Sequence, residues 1–252
     1  MSLVSVLLSQ SVANAEVAAK TKDEVTFGVD GFYRYTLFGY DFWLTTTHVS
    51  LLIIIVALIV FAIIANRVIR HADPYKKPGK FLNLIEYAVE LVDNLTKTSM
   101  GEKHGYKFSN YIGTLFIFIL FSNISGLFGL RSPTADYGVT LALALITFVL
   151  IHYNGFKYQK AKHVTSLFKP IFLSPINIIG EIATPISMSL RLFGNVLSGT
   201  VMLGLIYGLL GKFALIWPAA LHFYFDLFSG AIQTYVFCML TMVFISNTFE
   251  EA

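Results

Sequence analysis

Apolar residues fall in long unbroken stretches separated by short polar segments, and five of these stretches are long enough to cross a bilayer: Val49 to Ala65, Tyr111 to Leu130, Val139 to Tyr153, Ile171 to Leu210 and Pro218 to Asn247. A spanning helix needs about 20 mostly apolar residues, because hydrocarbon offers no partner to backbone N–H and C=O groups. The first stretch is so rich in Ile and Val that propensity alone favours a strand, but its apolar length decides for helix. The last two are longer than an upright span requires, roughly 60 and 45 Å if wholly helical, against a core about 30 Å thick. They are expected to tilt strongly, kink or be sheltered by protein, with Pro175, Gly180 and Pro185 as kink positions in the fourth.

Ahead of the second stretch the period changes. Phe81, Leu84, Ile85, Ala88, Leu91, Val92 and Leu95 recur at helical spacing while Glu86, Glu90, Asp93 and Lys97 take the other face. This predicts an amphipathic helix lying on the cytoplasmic membrane surface or against a partner helix. The expected fold is an all-α integral membrane protein of about five transmembrane helices plus that amphipathic helix. It forms a single membrane domain over residues 44–252, preceded by an N-terminal segment over 1–43. Met1 to Ala15 is mildly apolar and ends in Ala13-Asn14-Ala15, the small-residue pattern of a signal-peptidase site, but lacks a basic start; a cleaved leader and a retained segment both fit it.

Composition supports the same class. Hydrophobic residues make up 56% of the chain and charged residues 13%, against about 25% charged in soluble domains. That leaves lipid as the solvent for most of the surface. A net charge of +3 makes no case for nucleic-acid binding, and the lone Cys238 cannot form an internal disulfide. No metal framework or cofactor motif is present in the sequence, and no phosphate-binding Gly-Lys-Ser/Thr loop.

Orientation follows the basic residues. The segment from Arg67 to Lys107 and the segment from Gly155 to Pro170 are rich in Lys and Arg and should be cytoplasmic, whereas Arg131 to Gly138 and the loop around Lys212 are poor in them. The N-terminus is then outside and the C-terminus cytoplasmic.

A charge at mid-membrane costs at least about 2.5 to 3.5 kcal/mol on insertion scales, so each one needs a reason. Arg191 lies about twenty residues from either end of the fourth stretch, and Gly180, Thr184, Ser187, Gly194 and Ser198 fall on the same helical stripe. Small residues let a second helix approach, so this face is shaped to press a permanent cation against a neighbour. Arginine does not deprotonate here, which makes it a fixed charge and a block to a proton wire. The alternative is a packing or headgroup-binding arginine.

Glu181 precedes Arg191 by ten residues, toward the cytoplasmic end. His222, Asp226 and Gln233 stand at spacings of four and seven in the last stretch, and so on one helical face, while Asn123 lies in the second. For each of these a satisfied interhelical hydrogen bond is the alternative. Read functionally, Asp226 and His222 exchange protons with the outer side and Glu181 with the inner side, with Arg191 between them. Two half-paths that do not meet require something else to carry the proton across.

At this point the run Pro185-Ile186-Ser187-Met188-Ser189-Leu190-Arg191-Leu192-Phe193-Gly194-Asn195 resembles the signature of subunit a of F-type ATP synthases. Ser122-Asn123 resembles the family's second span, Ser132-Pro133-Thr134-Ala135-Asp136 with Thr140 to Leu145 the start of its third, and Ile232-Gln233 with Val236-Phe237 its last helix. The likeness runs from about Tyr75 to the C-terminus. It implies a non-catalytic stator subunit in a bacterial cell membrane, working beside a rotating ring of subunit c and the peripheral-stalk subunit b within the whole complex. Arg191 would keep each passing ring carboxylate deprotonated, with Asn195 and Gln233 as its polar neighbours. Asn123, Asp226 and His222 would line an outer half-channel and Glu181 an inner one. Many members carry an ionisable residue nine positions after the arginine, where this chain has Thr200, so the outer relay would fall to Asp226 alone or be shared with His222.

Two other classes compete. A self-contained secondary transporter also places charges near the midplane, but such folds commonly show inverted repeats, which are missing here. An intramembrane hydrolase could be built on His222 and Asp226, but no nucleophile motif or third ligand accompanies them.

Overall fold

A computed structural model describes residues 31–37, 40–72, 79–159, 174–210 and 217–250. The leader-like stretch at 1–15 and the basic residues Lys76, Lys77, Lys160, Lys162, Lys169 and Lys212 lie outside these. The described chain begins with a feature the hydropathy pattern did not announce, a short antiparallel hairpin of β1 (Gly31–Leu37) and β2 (Tyr40–Thr45), in which Leu37 pairs with Tyr40 and Gly31 with Thr45. Among the described residues, every regular element after it is helical.

Helix α1 (Thr46–Arg70) is the Ile- and Val-rich first span, ending with Arg67 and Arg70 in its last turn, where cations complement the exposed carbonyls. Helix α2 (Lys80–Ile124) holds both the amphipathic segment and the second span, broken at Gly101, whose φ of 75° and ψ of 160° no L side chain adopts comfortably. There the chain doubles back. A Cβ at Gly105 would lie 2.7 Å from the carbonyl oxygen of Thr96, and Ser109 donates a hydrogen bond to the Asp93 carboxylate. The amphipathic segment therefore has a partner within the chain. Its later turns, with Thr96 and Met100 buried, close against the 102–124 arm, while Leu84, Tyr87 and Val89 on its earlier turns stay exposed.

Two 3₁₀ turns (Ser125–Phe128 and Pro133–Ala135) lead into α3 (Tyr137–Tyr158), whose N-cap Asp136 accepts from the Gly138 N–H at 3.0 Å. Helix α4 (Ser174–Leu210) runs 37 residues, about 55 Å, so it cannot stand upright wholly inside hydrocarbon. Pro175 is its second residue, where a missing N–H costs nothing, so that proline starts the helix rather than kinking it; helical structure continues through Pro185. The last span is α5 (Trp217–His222), a π-helical segment (Phe223–Ser229) and α6 (Gly230–Glu250), continuous with one another. These helices supply five elements long and apolar enough to cross a membrane, and the all-α membrane class expected from the sequence holds from Thr46 onward, with the hairpin ahead of it.

The core sits around α6. Phe237, Cys238, Met242 and Ile245 pack with Ile112, Leu115 and Ile119 of α2, Ala144 and Ile151 of α3, and Met188 and Leu192 of α4. Fully buried threonines lie among them, including Thr140, Thr147, Thr234 and Thr241. Small hydroxyl-bearing residues let spans approach closely where no hydrophobic effect drives them together. Helix α1 stays at the edge, meeting α2 through an edge-to-face pair of Phe61 and Phe81 with centroids 6.4 Å apart.

Candidate functional site

Two contacts fix how α4 faces the last span. Ser229 Oγ donates to Asn195 Oδ1 at 2.8 Å, and a Cβ at Gly199 would meet the Phe225 side chain at 3.3 Å. In this antiparallel register each step back along α4 is a step forward in α6, which brings Arg191 level with Gln233. Gln233 is buried, and its Nε2 has no hydrogen-bond partner among the described residues.

Arg191 points the other way, outward. It is exposed and has no hydrogen bond or ion pair among the described residues. Its stripe is equally uncovered: Gly180, Ser187 and Ser198 are exposed, Thr184 and Gly194 half-buried, and Cβ atoms at Gly180 and Gly194 would meet nothing within 4 Å. Two of the three hydroxyls on the stripe are satisfied locally, Thr184 by the Gly180 carbonyl at 3.0 Å and Ser198 by the Asn195 carbonyl at 2.9 Å, while the Ser187 hydroxyl has no partner among the described residues. The stripe therefore offers a second helix close approach, one unpaired cation and the hydroxyl of Ser187.

On the last span, His222 Nδ1 and Asp226 Oδ2 are 2.9 Å apart, both half-buried. Asp226 also borders Gly126 of the first 3₁₀ turn, where a Cβ would lie 3.0 Å from Oδ2. The single face expected for His222, Asp226 and Gln233 is not kept. A π turn takes about one residue more than an α turn, so the face carrying Asp226 continues through Gly230 and Thr234, which meet α2, while Gln233 follows Ser229 on the face toward α4.

Asn123 takes the role of an interhelical tie. It is 3% exposed, donates from Nδ2 to the Gly230 carbonyl at 3.0 Å and to Thr234 Oγ1 at 3.3 Å, and accepts from Thr134 Oγ1 at 2.7 Å. Ser132 joins this knot by donating to the Ser122 carbonyl at 2.6 Å. Thr200 is exposed, with its hydroxyl turned back onto the carbonyl of Leu197 at 2.8 Å.

Glu181 meets a residue that sequence reasoning passed over. Its Oε2 lies 3.8 Å from His152 Nε2 on α3. The signal was present, since His152 is an ionisable residue near the end of an apolar span. Ser229, Thr134 and Gly126 were equally missed as partners of the site residues. No group of three or more His, Cys, Asp or Glu side chains able to hold a metal ion occurs among the described residues.

Fold and site together define a multi-pass helical membrane protein that keeps ionisable groups at depth, some paired within the chain and one cation left uncovered. Residues 49–246 match the family described as ATP synthase A chain. Relatives include ATP synthase subunit a of Priestia megaterium, 36% identical over 220 residues, which are 81% of this chain and 92% of that one. The Bacillus subtilis ATP synthase subunit a is 34% identical over 241 residues, 86% of this chain and 96% of that one. The sodium ion specific ATP synthase subunit a of Propionigenium modestum is 42% identical over 172 residues, 58% of this chain and 56% of that one. The chain belongs to the ATP synthase subunit a family. These relatives are bacterial, and together with the five apolar helices they support a multi-pass protein of the bacterial cell membrane.

Proposed function

We propose that this chain is the stator ion-channel subunit of an F-type ATP synthase, providing two offset half-channels that load and unload ions, in our reading protons, on a rotating ring of subunit c. Arg191 carries the reading: an exposed cation in mid-helix, on a stripe of small residues, with no partner among the described residues. A ring carboxylate entering lipid must be neutral, because burying the anion is prohibitive. Beside Arg191 attraction offsets that cost, so the charged form passes there and nowhere else. Gln233 and Asn195 sit level with the passage, and Asn195 is held by Ser229.

Asp226 and His222 line the outer half-channel and Glu181 the inner one, with Asn123 setting the spacing of the helices that bear Asp226. Each unit charge crossing the membrane contributes about 2.3 kcal/mol per 100 mV. Loading on one side and release on the other bias the rotation. The subunit performs no covalent chemistry and works with the ring, the peripheral-stalk subunit b and the rest of the complex. Its N-terminus faces outward and its C-terminus the cytoplasm.

ATP-driven acidification of inverted membrane vesicles tests this, comparing wild type with Arg191→Ala and verifying assembly of both complexes. Loss of pumping in an assembled Arg191→Ala complex is the expected result. Pumping at the wild-type rate would make Arg191 a packing residue and end the half-channel reading.

A further inference from the structure

His152 and Glu181 bring two spans together at the inner side, and the hydrogen bonding of the imidazole determines what it can do there. His152 Nδ1 lies 3.0 Å from the carbonyl oxygen of Phe148, one turn back on its own helix. A carbonyl can only accept, so Nδ1 carries the hydrogen and, in the neutral ring, Nε2 is the unprotonated nitrogen. It is Nε2 that faces Glu181 Oε2, at 3.8 Å. A lone pair facing a carboxylate oxygen is repulsive unless one of the two holds a proton. The separation is within ion-pair reach, and one water or a small rotation of the Glu181 side chain spans it. Side-chain exposures of 23% for His152 and 34% for Glu181 leave both within reach of water without freeing either.

Position along the helices suits exchange. His152 stands six residues before the end of α3 and Glu181 seven after the start of α4, each about 10 Å from its helix end. Arg191 is a further ten residues along α4, about 15 Å. Two other elements pack on α3 at this depth: helix α2 brings Tyr111, whose hydroxyl lies 3.5 Å from Thr147 Oγ1, and His104, set edge-on to the Tyr158 ring with centroids 5.8 Å apart, with Lys107 over the Phe108 ring, whereas helix α6 adds no charge. Helix α6 meets α3 at Thr241, 3.5 Å from Thr147, and at Thr248, whose carbonyl accepts from Gln159 at 3.1 Å. Between those contacts it carries Met242 to Asn247, with no ionisable side chain. Lys157, more than a turn farther along α3, lies over the Tyr153 and Tyr158 rings.

We propose that His152 and Glu181 share one proton and form the inner exchange site, with His152 as a proton-relay residue that no family motif quoted above includes. The proton leaves Glu181 Oε2 as it arrives on His152 Nε2, so the total charge of the pair is unchanged by the transfer and changes only when the pair exchanges with cytoplasmic water. The proposal rests on the reading of Glu181 as an inner half-channel residue, and the test separates the two.

The whole complex is reconstituted in liposomes and ATP-driven pumping is recorded while the pH on the cytoplasmic face is varied and the other face is held constant. E181Q is expected to lower the rate at least fivefold. H152N keeps a donor for the Phe148 carbonyl and H152Q keeps a polar atom near Nε2, and neither can take the proton. Either variant should move the midpoint of the cytoplasmic-side pH profile by a unit or more and leave the profile for the opposite face where it was. The E181Q/H152N double variant should be no slower than E181Q alone, because residues acting as a unit are not additive. An E181Q complex with wild-type rate and profile overturns the inner half-channel reading together with the pair. An impaired E181Q complex beside H152N and H152Q complexes with unshifted profiles overturns the pair alone, as do losses that multiply in the double variant.

Discussion

Ser229 donates to Asn195 Oδ1 at 2.8 Å, and this bond holds the last two spans in the register that brings Gln233 level with Arg191. It lies between helices in a medium where each polar contact must be found within the protein. Removing it with Ser229→Ala should cost on the order of 1 kcal/mol, the net worth of a typical hydrogen bond. Pumping should fall severalfold with assembly preserved, measured as vesicle acidification normalised to assembled complex. An unchanged rate would show that the register is set elsewhere.

Gly126 gives Asp226 its room. A Cβ there would stand 3.0 Å from Oδ2 of the carboxylate, which already faces His222 Nδ1 at 2.9 Å. Gly126→Ala should push Asp226 out of that contact and slow pumping, and Asp226→Asn should slow it severely with the complex still assembled. Acidification assays on both variants check this, and full activity in Asp226→Asn would remove the residue from the ion path.

The Asn123 knot is a matter of stability. A Cβ at Gly230 would fall 2.9 Å from the Asn123 Cβ, so Gly230→Ala must force α6 away from α2. Overpacking of this kind costs about 1 to 3 kcal/mol. Less assembled subunit in the membrane and a lower melting temperature of the solubilised complex are expected.

Gly101 and Gly105 should fail for different reasons. At Gly101 a side chain meets no atom within 4 Å, but φ of 75° with ψ of 160° is open to glycine alone, a backbone cost of about 1 to 3 kcal/mol. At Gly105 the backbone is ordinary helix, but a Cβ would lie 2.7 Å from the Thr96 carbonyl oxygen. Proteolysis of the detergent-solubilised complex should therefore open the 80–100 arm in both Gly101→Ala and Gly105→Ala.

Thr200 lies on an exposed face of α4 with its hydroxyl spent on its own backbone. Nothing described packs over it, so Thr200→Glu should assemble and pump. Failure to assemble would show that another subunit covers this position tightly.

The five spans were legible because lipid imposes a length and a polarity that few other environments demand, and Arg191 stood out because a charge at that depth is costly enough to need a reason. What the pattern hid was partnership. The spacing of Phe81 to Leu95 declares a helix but not what it packs against, and only the positive φ at Gly101 folds it back on the chain. The π-helical segment lies in a run from Phe223 to Phe228 that is aromatic or apolar at every position but Asp226. A shifted register leaves no trace there, so spacing misjudged Gln233 against Asp226. Asn123 and His152 illustrate the same limit: a polar residue in a span announces that it needs a partner, and the fold chooses which one.

The outward-facing Arg191 bears also on how the subunit is made. A chain inserted alone presents a guanidinium to hydrocarbon, at a cost of at least about 2.5 to 3.5 kcal/mol on insertion scales, relieved by snorkelling, thinning of the bilayer or water drawn inward. Covering by a partner helix, as the proposed function requires, would remove that defect. Subunits synthesised in excess would therefore remain physically marked as unassembled, by a local distortion that membrane proteases and insertion factors can detect without reading any sequence.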